Sequence, residues 1–474
     1  MKTYPVYLNG KLTVTDNTFP VTNPANGETL AQMSSVDRPV VAQAVADAHA
    51  AFALWRRLTG KARGDYLHQI AAELQKRKDE VARLVTLENG KPLMQSQGET
   101  AMAIDHLIWF AEEARRAYGR TVPNQVEGKR HLIVKTPMGV VAAISPWNFP
   151  IALSVRKIAP ALAAGCTVIL KPASKTPLCA AVFSEIVDTV KLPKGVFQMV
   201  TGSASEIAKE FLENRLCRKI TFTGSTEVGK KLIEGAAKQV KPLSLELGGH
   251  APVIVFEDAD LKAAVDGAML AKYRNSGQSC IAANRIYVQR SVYEEFLKLF
   301  VEKAKAMVVG DGIDPQSHIG ALIDEAALAK AEEHVNDAVK GGARLLCGGK
   351  RIAGKGFFFE PTVLADVAPG ALCRYEETFA PIAPVSAFDT EKEVIEEANN
   401  SPYGLSAYAF TRDLGRMFRL AESLEAGIIG INDGLPTTTQ APFGGVKESG
   451  WGRELGSEGM DAFLETKHVS IGIS

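Results

Sequence analysis

The sequence carries no net charge and no long apolar run, and both absences restrict what the protein can be. Its 474 residues include 54 Lys and Arg and 54 Asp and Glu. Because nucleic-acid binders usually carry a basic excess, this balance argues against that class, although a local charged patch remains possible. No uninterrupted apolar stretch reaches the ~18 residues that a membrane-spanning helix needs. Residues 1–5 lead into polar sequence without an apolar segment, which predicts no signal peptide.

Cysteine is also scarce. The chain has six, at positions 166, 179, 217, 280, 347 and 373. They are widely spaced and none forms a C-x-x-C pair, so the sequence predicts free thiols rather than a disulfide framework or a metal site. Free thiols are typical of a reducing compartment, and we therefore expect a cytoplasmic protein.

What is present is ordinary for a globular protein, with 46% hydrophobic and 23% charged residues. At about 150 residues per domain, the length predicts roughly three domains or two large ones. Apolar residues recur at helical spacing in residues 41–54, 62–82 and 99–118. Residues 121–134 come near to alternating apolar and polar positions, which predicts an extended, protruding hairpin.

From residue 140 onwards, short apolar segments alternate with helical ones. Strands are predicted at 140–145, 167–170, 197–200 and 219–222, and helices at 154–164, 177–190 and 205–213. Thr176 is the predicted N-cap of the helix that begins with Pro177. This alternation predicts parallel βαβ units in a doubly wound sheet, which binds ligands at the carboxyl ends of its strands.

A second alternation predicts a second α/β domain, with the boundary near Gly248 and Gly249. Its predicted strands are 252–256, 285–289 and 361–367, and its predicted helices are 261–273, 293–307 and 325–340.

A segment with two glycines follows the strand predicted at 219–222. Residues 223–230 read TGSTEVGK and open a predicted helix. Helix N-terminal amides favour an anionic group such as a pyrophosphate. The spacing G-x-x-x-x-G matches neither the dinucleotide fingerprint nor a Walker loop, so a tight turn without a ligand is equally well supported.

Cys280 is the candidate nucleophile. It ends the polar segment NSGQSC, whereas Cys166 and Cys179 lie in apolar sequence typical of an inert core. A thiol among small polar residues is accessible and can be held as a thiolate by nearby amides. An unreactive thiol is the alternative.

Two further polar side chains stand where a catalytic role is possible. Glu246 lies in an apolar, strand-like run, where burial would raise its pKa and suit it to act as a general base. A structural ion pair is an equal alternative. Asn148 lies between Pro146 and Pro150 at the end of a strand, where its amide could donate to an oxyanion or simply belong to a rigid connector.

Taken in order, these segments resemble the aldehyde dehydrogenase superfamily over almost the whole chain. The motifs that carry the resemblance are PWNFP at 146–150, KPAS at 171–174, FTGS at 222–225, LELGG at 245–249, GQSC at 277–280, EETFAP at 376–381 and PFGG at 442–445. Each is weak alone, but the ordered set is specific.

The resemblance implies oxidation through a covalent intermediate. Cys280 would attack the aldehyde to give a thiohemiacetal, with the side-chain amide of Asn148 and the backbone amide of Cys280 stabilising the oxyanion. Hydride transfer to a nicotinamide would leave a thioester, and Glu246 would activate water to hydrolyse it. Relatives that acylate coenzyme A lack a glutamate at this position, so a free acid is the implied product.

The resemblance also implies a cofactor site. Glu377 and Phe379 match contacts to the nicotinamide ribose. The implied contacts are Ser145, Trp147, Asn148, Lys171, Ser174, Lys175, Gly202, Gly224, Ser225, Val228, Leu247, Glu377 and Phe379. NAD-preferring relatives often have glutamate at the position of Ser174, where it would repel a 2′-phosphate. Ser174 is neutral and Lys175 follows it, so NADP is favoured and NAD remains the alternative.

Within the superfamily, residues 272–280 and 403–411 resemble succinate-semialdehyde dehydrogenases. Arg156 and Arg274 match positions that hold the substrate's distal carboxylate in that group, and Thr437 or Thr438 would supply a hydroxyl. A surface or salt-bridge role for each arginine is the alternative. Other acidic aldehydes stay open: 2-oxoglutarate semialdehyde, glutarate semialdehyde, and phosphono- or sulfo-aldehydes. A non-catalytic structural protein is the alternative from another class.

Three units are implied by the resemblance. A Rossmann-like cofactor domain would comprise residues 1–116 and 138–248, and a catalytic domain with the thiol residues 249–447. A small β element for oligomerisation would combine residues 117–137 and 455–474. Members are usually dimers or tetramers, so we expect a homodimer or homotetramer with no nucleic-acid or membrane partner.

Overall fold

The computed structural model describes residues 1–473. Its helices are α1 Arg38–Trp55, α2 Gly60–Lys76, α3 Lys78–Asn89, α4 Leu93–Glu113, α5 Pro150–Ala164, α6 Leu178–Val190, α7 Ala204–Glu213, α8 Thr226–Ala237, α9 Leu261–Tyr273, α10 Tyr293–Lys305, α11 Glu325–Lys340, α12 Glu391–Asn399, α13 Leu414–Ser423 and α14 Glu458–Asp461. Short 3₁₀ turns occupy Arg274–Gly277, Arg290–Val292 and Leu372–Arg374.

The strands are β1 Thr3–Tyr4, β2 Val6–Leu8, β3 Lys11–Thr13, β4 Thr18–Thr22, β5 Thr29–Ser34, β6 Arg120–Val122, β7 Lys129–Pro137, β8 Val140–Ile144, β9 Thr167–Lys171, β10 Phe197–Met199, β11 Cys217–Thr223, β12 Leu243–Glu246, β13 Ala251–Val255, β14 Ala283–Gln289, β15 Arg344–Cys347, β16 Thr362–Ala365, β17 Ile382–Phe388, β18 Tyr403–Gly404, β19 Ser406–Phe410, β20 Ile428–Ile431, β21 Val446–Lys447, β22 Gly450–Trp451 and β23 Leu464–Gly472.

The first large sheet has eight strands in the order β22-β12-β11-β8-β9-β10-β2-β3. Strands β8 to β12 run parallel, and every residue of β8 and β9 is buried. Short apolar strands of this kind are buried because helices cover both faces of the sheet. The strand order reverses between β8 and β11, which creates a crevice for ligands.

The second large sheet has seven strands in the order β15-β16-β17-β14-β13-β19-β20, and only its β15–β16 pair is antiparallel. A third sheet is small and antiparallel, with the order β23-β7-β6. Its β23–β7 pairing runs from Leu464 opposite Pro137 to Gly472 opposite Lys129. The predicted class, two doubly wound α/β domains with a small β element, is therefore confirmed.

The predicted unit boundaries and the assembly role of the small sheet stay predictions. One strand of the first large sheet was not assigned to any predicted unit. This strand, β22, pairs with β12, and its residues lie outside all three predicted ranges.

Two local predictions are wrong. Residues 62–82 were expected as one helix, but α2 and α3 are separated at Arg77, whose φ of −104° and ψ of 16° depart from helical values. Arg77 is instead held by ion pairs to Glu80 and Glu185. Thr176 does not cap α6, because its hydroxyl donates to the carbonyl oxygen of Trp147 at 3.3 Å.

All six cysteines carry free thiols. Between residues 1 and 473, no helix is long and apolar enough to cross a membrane. The same residues contain no group of three or more His, Cys, Asp or Glu side chains placed to hold a metal ion.

Candidate active site

A cavity of about 190 Å³ opens at the carboxyl ends of β8, β11 and β12, where the order of the first sheet reverses. Such switch points are where open parallel sheets bind ligands. The thiol loop enters from the second sheet, because residues 277–280 come shortly before β14. The predicted site residues that line the cavity are Trp147, Asn148, Gly224, Ser225, Leu247, Cys280, Glu377 and Phe379.

The backbone that leads to Cys280 is tightly constrained. Asn275, Ser276 and Gly277 have positive φ angles of 52°, 56° and 74°. A Cβ on Gly277 would lie 2.2 Å from the carbonyl oxygen of Ala380, so this approach requires glycine. The constraint fixes the direction from which the thiol enters the cavity.

The Cys280 thiol is held in its protonated form. Burial raises the pKa of Cys280 to about 12, and the carboxylates of Glu377 and Glu246 contribute in the same direction. The Arg156 guanidinium and the amide of Cys280 itself oppose them. The thiol therefore needs a base, or altered surroundings, before it can act as a nucleophile.

Asn148 reaches the cavity from the turn after β8. Its side-chain Nδ2 donates to the carbonyl oxygen of Gln278 at 3.2 Å, two residues before the thiol. Its own carbonyl oxygen accepts from Lys91 Nζ at 2.5 Å and from Asn275 Nδ2 at 2.9 Å. These contacts hold an amide donor beside Cys280.

Glu246 ends β12 and is only 3% exposed. Its Oε2 has no hydrogen-bond partner within residues 1–473. Burial raises the pKa of Glu246 well above its usual range, and the charge of Glu454 adds to this, while Lys157 and Arg156 oppose it. A carboxylate in such surroundings is a stronger base than an exposed glutamate.

A buried ion pair behind Glu246 was missed by the sequence analysis. Lys157 pairs with Glu454 and donates to Thr223 Oγ1 at 2.6 Å. Glu454 arrives there because β22 pairs with β12, with Gly450 opposite Glu246. Lys157 could have been noticed as a lysine within an apolar helix, but the position of Glu454 depends on a non-local strand pairing.

Both predicted carboxylate-binding arginines lie against aromatic rings. The guanidinium carbon of Arg156, which is 4% exposed, lies 4.5 Å from the ring centre of Phe443. That of Arg274 lies 5.0 Å from the ring centre of Phe149. Arg156 Nε has no hydrogen-bond partner among residues 1–473, and Glu454 Oε2 is 4.0 Å away from it. The rings fix the guanidinium groups without neutralising them.

Two further cavities connect these arginines with the late loop. One, of about 300 Å³, is lined by Arg156, Thr437, Thr438 and His106. The other, of about 920 Å³, is lined by Arg274 and Thr437 and by several methionines and leucines. The structure thus brings the four predicted substrate residues into one region. His106 was missed, although a histidine inside the apolar helix α4 was a visible signal.

The opposite wall of the thiol cavity is formed by Glu377, Phe379 and Trp147. Glu377 Oε1 accepts from the amide of Gly249 at 3.0 Å, and burial raises the pKa of Glu377 to about 7. Lys330 Nζ donates to the carbonyl oxygen of Glu377 at 2.7 Å. The rings of Phe379 and Trp147 meet edge to face, with centres 5.5 Å apart. Hydrogen bonds from Gly249 and Lys330 therefore fix the loop that carries Glu377 and Phe379.

The start of α8 completes the cavity. Ser225 caps the helix by accepting from the Val228 amide at 3.4 Å. Gly224 donates its amide to the carbonyl oxygen of Glu246 at 3.0 Å. A Cβ on Gly224 would lie 2.3 Å from the ring of Phe222, so a larger residue here would force that ring to move. A helix N-terminus that opens onto a cavity favours an anionic group.

The remaining predicted cofactor residues do not line this cavity. They are Ser145, Lys171, Ser174, Lys175, Gly202 and Val228. Ser145 is buried and shares a hydrogen bond with Ser154, 2.8 Å between hydroxyl oxygens. Gly202 has a positive φ of 147°, and a Cβ there would lie 2.4 Å from the carbonyl oxygen of Val36.

Three of them lie at the carboxyl end of β9 or just after it. Lys171 is buried, burial lowers its pKa to about 8, and no ion pair holds it within residues 1–473. Ser174 is exposed. Lys175 is ion-paired with Asp324, the residue that caps α11.

The sequence matches the model of the aldehyde dehydrogenase family over residues 12–469. It is 48% identical to the NADP⁺-dependent succinate-semialdehyde dehydrogenase of Escherichia coli over 453 residues, which cover 96% of this chain and 94% of the relative. It is also 48% identical to the glutarate-semialdehyde dehydrogenase of Pseudomonas aeruginosa over 472 residues, 98% of this chain and 97% of the relative.

A solved structure described as an E. coli NADP-dependent enzyme superposes with a TM-score of 0.98 at 47% identity, covering 100% of this chain and 98% of the other.

Proposed function

Because the chain belongs to the aldehyde dehydrogenase family, we propose that it oxidises an acidic semialdehyde to the corresponding dicarboxylic acid, with succinate semialdehyde as the first candidate. The family uses NAD or NADP as its oxidant, and we propose NADP as the favoured one here. The site has three parts: the side with Arg156 and Arg274, the side with the Cys280 thiol, and the cofactor side.

The observation that carries the substrate proposal is the pair of arginines. Arg156 and Arg274 line cavities that share Thr437, and each guanidinium lies against an aromatic ring. Arg156 has only a long contact to Glu454, at 4.0 Å, and Arg274 has no ion pair within residues 1–473. Removing such weakly paired cations from water is costly, and a carboxylate of the substrate would relieve that cost. Guanidinium groups bind carboxylates through two parallel hydrogen bonds, which selects the distal acid group.

On the thiol side, Cys280 attacks the aldehyde carbon. The thiol proton passes to water in the open cavity in this step, because the pKa of Cys280 is about 12 in the resting site and only the thiolate attacks. In the resting site, Asn148 Nδ2 donates to the carbonyl oxygen of Gln278. During the reaction it can donate instead to the new oxyanion, which the backbone amide of Cys280 also stabilises. Donors that are already fixed need little reorganisation during the reaction.

Glu246 acts in the second half of the reaction, when water cleaves the thioester. Its raised pKa makes it a stronger base than an exposed glutamate. The buried Lys157–Glu454 pair lies beside it and sets the charge around it, because Glu454 raises and Lys157 lowers the pKa of Glu246. Hydrolysis releases the dicarboxylic acid and restores the thiol.

The residues on the cofactor side fit a nicotinamide dinucleotide. Gly224 and Ser225 offer a glycine turn and a helix N-terminus for the pyrophosphate, and the Glu377 carboxylate can accept from a ribose hydroxyl. When bound, the nicotinamide supplies a hydride acceptor. The protein's own contribution on this side is the edge-to-face pair of Trp147 and Phe379, which forms one wall of the cavity.

The preference for NADP rests on the residues after β9. Ser174 presents no carboxylate that would repel a 2′-phosphate, and Lys171 is a buried cation without an ion pair among residues 1–473. Lys175 is already paired with Asp324, which removes one of the expected cations. These facts support acceptance of NADP together with residual use of NAD.

Glutarate semialdehyde is the second candidate. The relative with that activity is as similar to this chain as the succinate-semialdehyde enzyme is. The cavity of about 920 Å³ beside Arg274 also leaves space for a longer substrate. The other acidic aldehydes named above would use the same arginines.

The test is a steady-state panel of succinate semialdehyde, glutarate semialdehyde and butanal with each cofactor. We expect the acidic substrates to have the higher kcat/KM, and Arg156→Gln and Arg274→Gln to reduce this preference roughly tenfold to a hundredfold each. Arg83→Gln, which removes an exposed arginine, serves as the control. Equal losses of kcat/KM for acidic and neutral aldehydes would show that the arginines do not bind the substrate's carboxylate.

For assembly, we propose a homodimer or homotetramer built on the three-stranded sheet. Its outer strand β23 has one unpaired edge, and most of its side chains are exposed. An open edge of this kind is suited to pairing with another chain. Light scattering coupled to size-exclusion chromatography gives the oligomeric state directly, and a monomer would contradict the proposal.

A further inference from the structure

A separate cavity of about 440 Å³ lies where α2 begins and α4 ends, beside the three-stranded sheet. Its charged lining residues are all cationic: Arg56, Lys61, Arg63, Arg115 and Lys135. The chain as a whole has equal numbers of acidic and basic residues, so this is a local concentration of positive charge. None of its lining residues is shared with the cavities around Cys280, Arg156 or Arg274.

Acidic residues balance only part of this charge. Lys61 pairs with Asp65 at 2.6 Å and Lys135 with Asp461 at 3.1 Å. Arg56 and Arg115 have no ion-pair partner within residues 1–473. A cavity wall with several unpaired guanidinium groups produces a positive potential that attracts anions.

Arg63 is the deepest of the five, with only 8% of its surface exposed. Its Nε donates to the carbonyl oxygen of Ala163 at 2.8 Å, and its Nη1 donates to that of Leu58. No carboxylate of residues 1–473 lies within ion-pair distance of it, and burial lowers its pKa. A buried guanidinium held only by neutral acceptors is an incomplete arrangement that an anion in the cavity would complete.

The backbone adds to this site. The 17-residue helix α2 begins at Gly60, which also lines the cavity, so the N-terminal end of the helix dipole faces it. The hydroxyl of Thr59 accepts from the Ala62 amide at 3.2 Å. A Cβ on Gly60 would lie 2.1 Å from the carbonyl oxygen of Ala114, so glycine allows α2 to start against the end of α4 and to close this side of the cavity.

We propose that this cavity binds a small multivalent oxyanion of the phosphate class on the guanidinium groups of Arg56, Arg63 and Arg115. Its volume suits a small ligand rather than a macromolecule. Guanidinium groups match the geometry of phosphate oxygens through paired hydrogen bonds. Lys135 and Leu464 of the three-stranded sheet form one wall, so the bound anion also offsets the cations at the base of that sheet.

The test is isothermal titration of the full chain with sodium pyrophosphate in a chloride buffer. Arg56→Gln and Arg115→Gln remove one lining cation each, and we expect each to weaken binding roughly tenfold to a hundredfold. Arg57→Gln and Arg116→Gln are matched controls, because these neighbours in sequence do not line the cavity. The cofactor cleft is the same in all four variants, so binding there is a common background.

Two results would overturn the proposal. One is equal pyrophosphate affinity in the wild type and all four variants. The other is an absence of binding by the wild type together with a changed oligomeric state in the Arg56→Gln and Arg115→Gln variants, measured by light scattering. That second result would mean that a second copy of the chain supplies the anion.

Discussion

The thiol of Cys280 is unreactive at rest for reasons that can be separated residue by residue. Burial accounts for most of the increase of its pKa to about 12, and two carboxylates add to it. Only the thiolate is nucleophilic, so the raised pKa of Cys280 slows its oxidation and alkylation. Binding of substrate and cofactor must change these surroundings before the covalent step begins.

Opposite charges near Cys280 should shift its reactivity in opposite directions. Glu377→Gln removes a negative charge, which stabilises the thiolate, lowers the pKa of Cys280 and speeds alkylation by iodoacetamide at pH 8. Arg156→Gln removes a positive charge, which raises this pKa and slows alkylation. Rates are measured in the absence of cofactor, and the Cys280→Ala variant gives the background from the other thiols. Shifts of the same sign in both variants would contradict the electrostatic account.

Glu246 and Cys280 should fail at different steps. Cys280→Ala should abolish turnover and leave cofactor binding near normal. Glu246→Gln keeps the thiol but removes the base for thioester hydrolysis, so we expect a burst of reduced cofactor followed by a stalled steady state. Stopped-flow absorbance of the reduced nicotinamide distinguishes the two. A normal steady state in Glu246→Gln would remove this residue from the hydrolytic step.

At the scale of elements, α6 shows how a helix can be capped from far along the chain. Its first amides, at Leu178 and Cys179, donate to the carboxylate of Glu88 at 2.7 and 2.9 Å. Glu88 lies in α3, about ninety residues earlier. Burial raises the pKa of Glu88 to about 7, so this cap titrates in the neutral range.

Glu88→Gln should change how stability depends on pH. A carboxyl group whose pKa is raised from 4.5 to about 7 on folding contributes stability that is fully present below pH 4.5 and is lost as the pH rises through 7. This shift in pKa corresponds to a change in the free energy of unfolding on the order of 3 kcal/mol. Compared with the wild type, Glu88→Gln should therefore be relatively more stable at pH 8 than at pH 5. Thermal unfolding midpoints at both pH values measure this, with Glu88→Ala as the variant that loses the cap at both.

The same element shows what the sequence could and could not predict. Periodicity and alternation were enough for most parallel strands and most helices, because those patterns are local, but β17, β19 and β20 were not predicted. The break at Arg77 and the cap from Glu88 were missed, since both depend on partners far away in sequence. Likewise, motifs marked Cys280 and Glu246 as candidates, but Glu454 comes near them only through the pairing of β22 with β12.

At the scale of the whole molecule, the ion pair between Lys175 and Asp324 links the segment after β9 to helix α11. Lys175 follows β9, and Asp324 caps α11. Because both side chains are partly exposed, the pair adds little to stability. On the proposal that NADP places its 2′-phosphate near Ser174, the pair would hold Lys175 away from that phosphate.

Asp324→Asn should therefore improve the use of NADP. Asparagine still caps α11, since it also accepts from the helix amide, but it releases the Lys175 ammonium. We expect KM for NADP to fall several-fold while KM for NAD stays nearly constant. Ser174→Glu should act in the opposite direction by repelling the 2′-phosphate. If Asp324→Asn changes both cofactors equally, the ion pair has no part in the choice between them.

The position of Glu454 has a consequence for how the protein is made. The pocket side chains Asn148, Glu246 and Cys280 are translated long before residues 450–454, which complete the edge of the first sheet and pair with Lys157. A growing chain that lacks this segment leaves the Lys157 ammonium without its carboxylate and Glu246 without its neighbouring strand. On the proposed mechanism, hydrolysis of the thioester therefore waits until residues 450–454 have been made and the surroundings of Glu246 are complete.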